Sequence, residues 1–190
     1  VVEPAAPDQE RLIELFTMSL GEALLRLGRV VDRDWSSRAG TLDWTCGQTV
    51  DHVTDCLFSY ALQVAGQVRG GWLHLEELHA RPETAPAQLL ESLRAVGAMF
   101  AAVLRAAPGD ALASDSVVEL GLEGWVARAL NELLLHSSDV VRGLDGFFEA
   151  ERTVCAFVLA TPTLWMYDGA DRTATDPWRE MLRASGRPVT

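Results

Sequence analysis

Apolar residues recur at steps of three and four along four long stretches of this chain, and each stretch predicts an amphipathic helix. From about Asp8 to Asp34 the stripe is Ile13, Phe16, Leu20, Leu24, Leu27 and Val31. Asp8, directly after Pro7, has the short acceptor side chain of an N-cap. A second helix opens at "TCGQ", where Thr45 and Gln48 have the spacing of a capping box. Its stripe runs Val50, Val53, Leu57, Tyr60, Val64 and Val68, and "RGG" at 69–71 closes it. An alanine-rich third helix covers about Ala85–Ala107, turns Leu89, Leu93, Val96, Phe100 and Leu104 inward, and stops at "PGD". The fourth spans about Leu122–Leu144, with Val126, Leu133, Val140 and Leu144 on its core side and Gly143 and Gly146 as candidate stops.

The rest is shorter. "WLHLEELHARPE", between helices two and three, fits either a short helix or a lid-like loop. "ERTVCAFVLA" reads as a short helix, and "TDPWREMLRASGRP" as a last one, with Asp176 as N-cap and Pro177 at its first position. There is no strand-and-hairpin series and no internal repeat. The expected fold is all-α: a four-helix bundle with short additional C-terminal helices. The 190 residues make one domain, with 147–190 as a C-terminal helical appendage.

Composition narrows the function. No uninterrupted apolar run approaches the roughly 18 residues of a membrane span. The opening "VVEPAAPDQE" has neither a basic nor an apolar leader region, so no secretion signal is expected, and the missing initiator Met suggests trimming or an incomplete start. A net charge of −11, with 16 scattered positive residues, argues against nucleic acid as a partner. All of those positive residues are arginine, as in proteins from GC-rich genomes. Cys46, Cys56 and Cys155 form no CxxC pair, which points to a reduced, cytoplasmic protein without a disulfide framework or a Cys-rich zinc cluster.

The chemistry concentrates in "NELLLHSSD", residues 131–139. Glu132 and His136 stand four apart, within about 40° of each other on the helix wheel, at the flank of the core side. Trp125 and Ala129 share that flank, with Arg128 and Asp139 slightly further round. On the second helix His52 falls at the edge of the apolar stripe, with Cys56 one turn on. If the two helices are neighbours, His52, Glu132 and His136 can converge. Two imidazoles and a carboxylate suit Zn²⁺ with a fourth position open, and also Fe²⁺, Ni²⁺ or Mn²⁺. Spacing alone leaves a plainer reading open, because Glu/His pairs at i, i+4 are common as hydrogen-bonded surface pairs.

The block "LDWTCGQTVDHVTDCL", followed about eighty residues later by "RALNELLLHSSDVVRGL", resembles the DinB-like superfamily. Within it, the closer likeness is to the N-terminal domain of mycothiol-dependent maleylpyruvate isomerase. That group shows a Trp, a capped helix with one His, and a later helix with R-x3-E-x3-H-x2-D. Here the matching residues are Trp44, His52, Arg128, Glu132, His136 and Asp139. The likeness covers most of residues 8–145, and "DPWREMLRASGRP" looks like the family's C-terminal segment. It implies a four-helix bundle and a divalent metal on His52, Glu132 and His136, most readily zinc. It often goes with a thiol cofactor. That thiol would be mycothiol, in keeping with an actinobacterial source. Arg128 would bind a carboxylate of thiol or substrate, or else form a structural pair with Glu132 or a neighbouring acid; Trp125 would wall the thiol or substrate pocket, and Asp139 would orient a ligand. The isomerase carries a second C-terminal domain, whereas only residues 145–190 follow the fourth helix here.

The leading expectation is therefore a metal-binding bundle acting as a thiol-dependent transferase or isomerase. Its partners would be a small-molecule thiol and an electrophile, and a homodimer remains open. Two rivals stand beside it: a non-catalytic module for a small ligand or protein, and a metal-dependent hydrolase. The reacting sulfur is expected from the cofactor. Cys56 is read as a packing thiol in preference to a fourth ligand or a nucleophile, Cys46 as favoured for thiolate by its helix start, and His74 and His79 as solvated loop histidines in preference to edges of the site mouth. Trp44 is placed at the pocket wall. No P-loop, GxSxG or HExxH motif is present.

Overall fold

A computed structural model describes residues 8–115, 118–161 and 167–189. Residues 1–7, read above for a leader, lie outside them. The described chain is all-α apart from one small hairpin. Its elements are α1 (Gln9–Gly28), α2 (Cys46–Gly66), α3 (Pro86–Ala106), β1 (Ala113–Ser114), β2 (Glu119–Leu120), α4 (Leu122–Gly143), α5 (Arg152–Ala160) and α6 (Pro177–Ala184). Helices α1 and α2 each pack against both α3 and α4. Helix α5 lies on α4, and α6 on α5. This second contact explains why α4 is buried nearly all round: Val126, Leu133 and Val140 are covered, and so are Leu130, Leu134 and Val141.

The caps behave as their chemistry requires. Asp8 accepts from the Glu10 amide, Thr45 and Gln48 form the reciprocal capping box, and Asp176 accepts from the Arg179 amide. The first helix ends earlier than its stripe predicts. After Gly28 the chain turns, and the buried residues there are Val30 and Trp35, whose indole donates to the Val30 carbonyl at 3.0 Å. The apolar spacing beyond Leu27 thus belongs to a packed turn, not to a continuing helix.

Helix ends differ from expectation in the same instructive way. At α2 the left-handed residue is Gln67 (φ 43°), ahead of the "RGG" stop, and the Val68 and Gln67 amides reach back to the Gln63 and Val64 carbonyls, both at 3.2 Å. At α4 it is Asp145 (φ 55°), with the Gly146 amide on the Val141 carbonyl at 2.8 Å. Gly143 serves a different need. A Cβ there would collide with the Arg38 carbonyl, because residues 38–40 press onto the end of α4. Gly143→Ala should therefore lower stability by about 1–3 kcal/mol through overpacking, measured by urea unfolding. A value within experimental error of wild type would mean that the 38–40 segment yields freely.

One segment departs from the sequence reading, and another takes the loop form of its two expected ones. The hairpin β1–β2 pairs Ala113 with Leu120 and Ser114 with Glu119, a ladder too short to leave an alternating pattern. "WLHLEELHARPE" forms no helix; it runs as a strap along α2. The buried Gln63 anchors its start, donating to the Gly71 and Ser114 carbonyls at 3.0 and 2.6 Å. Asp55 and Asp51 hold its far end by accepting from the amides of Leu78 and Ala80, each at 2.7 Å. Among the described helices, α3 is long and apolar enough to cross a membrane by length and composition, although Glu91 and Arg94 break its apolar run. Its inner face packs on α1 and α2.

Candidate metal centre

Neighbouring helices α2 and α4 bring the three predicted ligands to one place. His52 comes from the second turn of α2, and Glu132 and His136 from consecutive turns of α4. One Glu132 oxygen, Oε2, is the meeting point: His136 Nε2 lies 3.3 Å from it and His52 Nε2 3.5 Å. The two imidazole rings stand edge to face with centroids 5.2 Å apart. Both N···O distances exceed the usual range for an N–H···O hydrogen bond. They fit the edges of a tetrahedral site: ligands about 2.0–2.2 Å from zinc stand roughly 3.3–3.5 Å from one another. The two contacts to Glu132 thus fit a divalent ion in donor type and in spacing; the tightest trio of donors is His52, Cys56 and Glu132, all within 4.8 Å of one another, and His136 joins it through Glu132 Oε2.

His136 and Glu132 are held from behind. His136 Nδ1 lies 3.2 Å from Asp139 Oδ2, which leaves Nε2 facing Glu132. Asp139, 4% exposed, is gripped in turn by Arg187, whose guanidinium donates to both oxygens at 2.7–3.1 Å. Arg187 reaches it because Gly186 (φ 75°) turns the chain out of α6. Behind Glu132, Asn131 donates to Oε1 at 3.3 Å, and the buried Tyr167 hydroxyl donates to Asn131 at 2.6 Å. In front, Trp44 covers both histidine rings, at centroid distances of 4.8 and 6.3 Å. Its loop is fixed by the Ala39 amide on the Trp44 carbonyl and by Gly40 (φ 53°), which sits against the Asp139 backbone.

The electrostatics follow from burial and pairing. Burial alone would raise the Glu132 carboxyl, but the imidazoles of His136 and His52 pull it well below the ordinary range. Burial would lower His136, but Asp139 and Glu132 outweigh it and hold it above its usual value. Asp139 is likewise lowered, its burial outweighed by His136 and Arg187. Two carboxylates with one guanidinium leave the pocket short of positive charge, which a proton on His136 or a bound cation supplies.

Other predicted residues fall elsewhere. Arg128 pairs with Asp115, beside the hairpin. Trp125 is wholly buried behind Tyr60 and Trp72, at centroid distances of 5.4 and 5.9 Å. His79 is an exposed loop side chain, as expected, and it also bridges Asp51 and Glu77 at 3.0 Å each, fastening the strap to α2. Cys46 is fully buried, and burial pushes its thiol up to about 11, which cancels the benefit of the helix start. Cys155 is buried too, its thiol pushed up to about 12.

Cys56 packs against the core, as expected, but it also faces His52. It is only half-buried, and its Sγ lies 3.5 Å from His52 Nε2. His52, Cys56 and Glu132 each offer a donor atom within 4.8 Å of the others. Spacing had placed it one turn from His52, but the habit of free cysteines to pack in cores outweighed that signal. Arg187, Asn131 and Tyr167 left no signal at all, because their partners are set by tertiary packing.

The centre opens between α2 and the strap. A cavity of about 450 Å³ is bordered by Trp44, Asp51, His52, Asp55, Glu77 and His79. A second, of about 320 Å³, continues along α2 past Cys56 and Tyr60 to Trp72 and Leu75. Searches against family models, curated proteins and solved structures find no match to this chain.

Proposed function

We propose that this chain is a divalent-metal-binding four-helix bundle of the DinB-like kind, working in the cytoplasm as a thiol-dependent transferase or isomerase. The observation that carries the reading is the meeting of His52 and His136 on one Glu132 oxygen at 3.5 and 3.3 Å. His52, Glu132 and His136 would hold the ion, zinc fitting best, with iron, nickel and manganese compatible with the same donors. A bound divalent ion supplies Lewis acidity, which favours the thiolate of a coordinated thiol such as mycothiol.

The chain's own groups do the rest. Asp139 and Arg187 keep His136 in the tautomer whose Nε2 faces inward. Trp44 limits water at the rings. Asp51, Asp55 and Glu77 at the mouth favour cation entry and disfavour anions. That charge favours a neutral electrophile, such as an epoxide, over an acid of the maleylpyruvate type. The apolar wall of Tyr60, Trp72 and Leu75 would receive its body.

The test is consumption of added mycothiol by metal-loaded protein with a panel of electrophiles, epoxides and maleylpyruvate-like acids included. Wild type should turn over the thiol, and His52→Ala should lose both metal and turnover. A metal-loaded wild type that consumes no thiol with any electrophile would leave the hydrolase or the binding module as the better reading.

A further inference from the structure

Helix α2 carries a second donor that none of the roles above uses. His52 and Cys56 stand four apart on α2, as Glu132 and His136 do on α4, so two facing helices each present an i, i+4 pair to the same space. The Sγ of Cys56 is 3.5 Å from His52 Nε2 and within 4.8 Å of a Glu132 oxygen. For zinc, with sulfur about 2.3 Å and nitrogen about 2.0–2.1 Å away, a tetrahedral S···N edge is roughly 3.5 Å. We propose that Cys56 is the fourth protein ligand of the centre, closing a site made of His52, Cys56, Glu132 and His136 in the resting protein. The inference rests on the metal-binding reading above and deepens it.

A closed site changes what a substrate thiol must do. It would have to replace Cys56: the incoming thiol would give its proton to the departing Cys56 sulfur and take that sulfur's place beside His52 and Glu132. One thiolate leaves as one arrives, so the charge on the centre is unchanged and no oxidant or reductant is needed. Cys56 is suited to leaving, because it is half-buried beside the cavity along α2, whereas Cys46 and Cys155 are sealed in the core. The resting centre is then protected from water and stray ligands until a thiol of sufficient affinity arrives.

The experiment uses Co²⁺ alone as the probe, on metal-free wild type, Cys56→Ser, Cys56→Ala and His136→Ala. Wild type should take up one cobalt with a sulfur-to-cobalt charge-transfer band in the near ultraviolet. Cys56→Ser and Cys56→Ala should bind cobalt without that band and at least about tenfold more weakly, since losing even a group that only orients a ligand costs about 10–100-fold. Adding 2-mercaptoethanol to cobalt-loaded Cys56→Ser should bring the band back. Cobalt should also slow iodoacetamide alkylation of Cys56 in wild type. Far-ultraviolet dichroism of the metal-free variants should match wild type, which separates ligand loss from misfolding. Cobalt bound by wild type without a sulfur band, at an affinity equal to that of Cys56→Ser, overturns the Cys56 ligand and leaves the three-residue centre standing. No cobalt uptake by wild type overturns both.

Discussion

Exhaustive chelation should lower the melting temperature of the wild-type chain clearly more than that of His136→Ala. A metal that binds only the folded state stabilises it by RT ln(1 + [L]/Kd), about 2.7 kcal/mol at a hundredfold excess over Kd. For a chain of this size that corresponds to roughly 5–10 °C. His136→Ala removes a donor that lies 3.3 Å from Glu132 and is only 12% exposed, so no solvent-facing side chain replaces it. Scanning calorimetry with and without EDTA on both proteins is the measurement. Equal responses would place any stabilising metal somewhere other than at this residue.

The other large effect belongs to a residue far from the ligands in sequence. Arg187→Ala should cost about 3–5 kcal/mol of stability in the metal-free protein, because it leaves the Asp139 carboxylate buried without its cation. The two side chains are 12% and 5% exposed, so solvent does little to replace the pair. Arg187→Lys should cost less but not nothing, since an ammonium keeps the charge and loses the two-point grip. Both should weaken metal binding, the alanine variant by about 10–100-fold, because Asp139 would no longer be fixed against His136 Nδ1. Urea unfolding followed by metal titration reads the two effects separately. An Arg187→Ala protein with wild-type stability would show that Asp139 is satisfied by other means.

What could be read from sequence, and what could not, divides along one physical line. Periodicity reports burial against a continuous partner, so the positions of α1 to α4, the capping box of Thr45 and Gln48, and the cap of Asp176 were legible. Periodicity does not report where a helix gives way to a packed turn, which is why α1 seemed to run on through Val31. The i, i+4 rule placed Glu132 beside His136 because both lie on one rigid helix. It also brought Cys56 next to His52, but cannot say whether a half-exposed thiol faces core or cavity. Pairs such as Arg187 with Asp139, Arg128 with Asp115 and Tyr167 with Asn131 join distant parts of the chain, and a single sequence carries no trace of them. The hairpin β1–β2 escaped for a simpler reason, since two residues per strand cannot display a period of two.

The grip of Arg187 on Asp139 has a thermodynamic side. Helix α6 is short and lies over α5, and elements with few packing neighbours are the ones that open locally at low free-energy cost. Each time α6 lifts, Gly186 and Arg187 go with it, and His136 loses the restraint on its ring. If the centre binds an ion, docking of α6 and that binding are linked equilibria: whatever holds α6 down would raise the binding constant, and a bound ion, by reciprocity, would hold α6 down. The residues from 177 to 187 would thus act as a latch whose closing is written into the affinity of a site to which they supply no ligand.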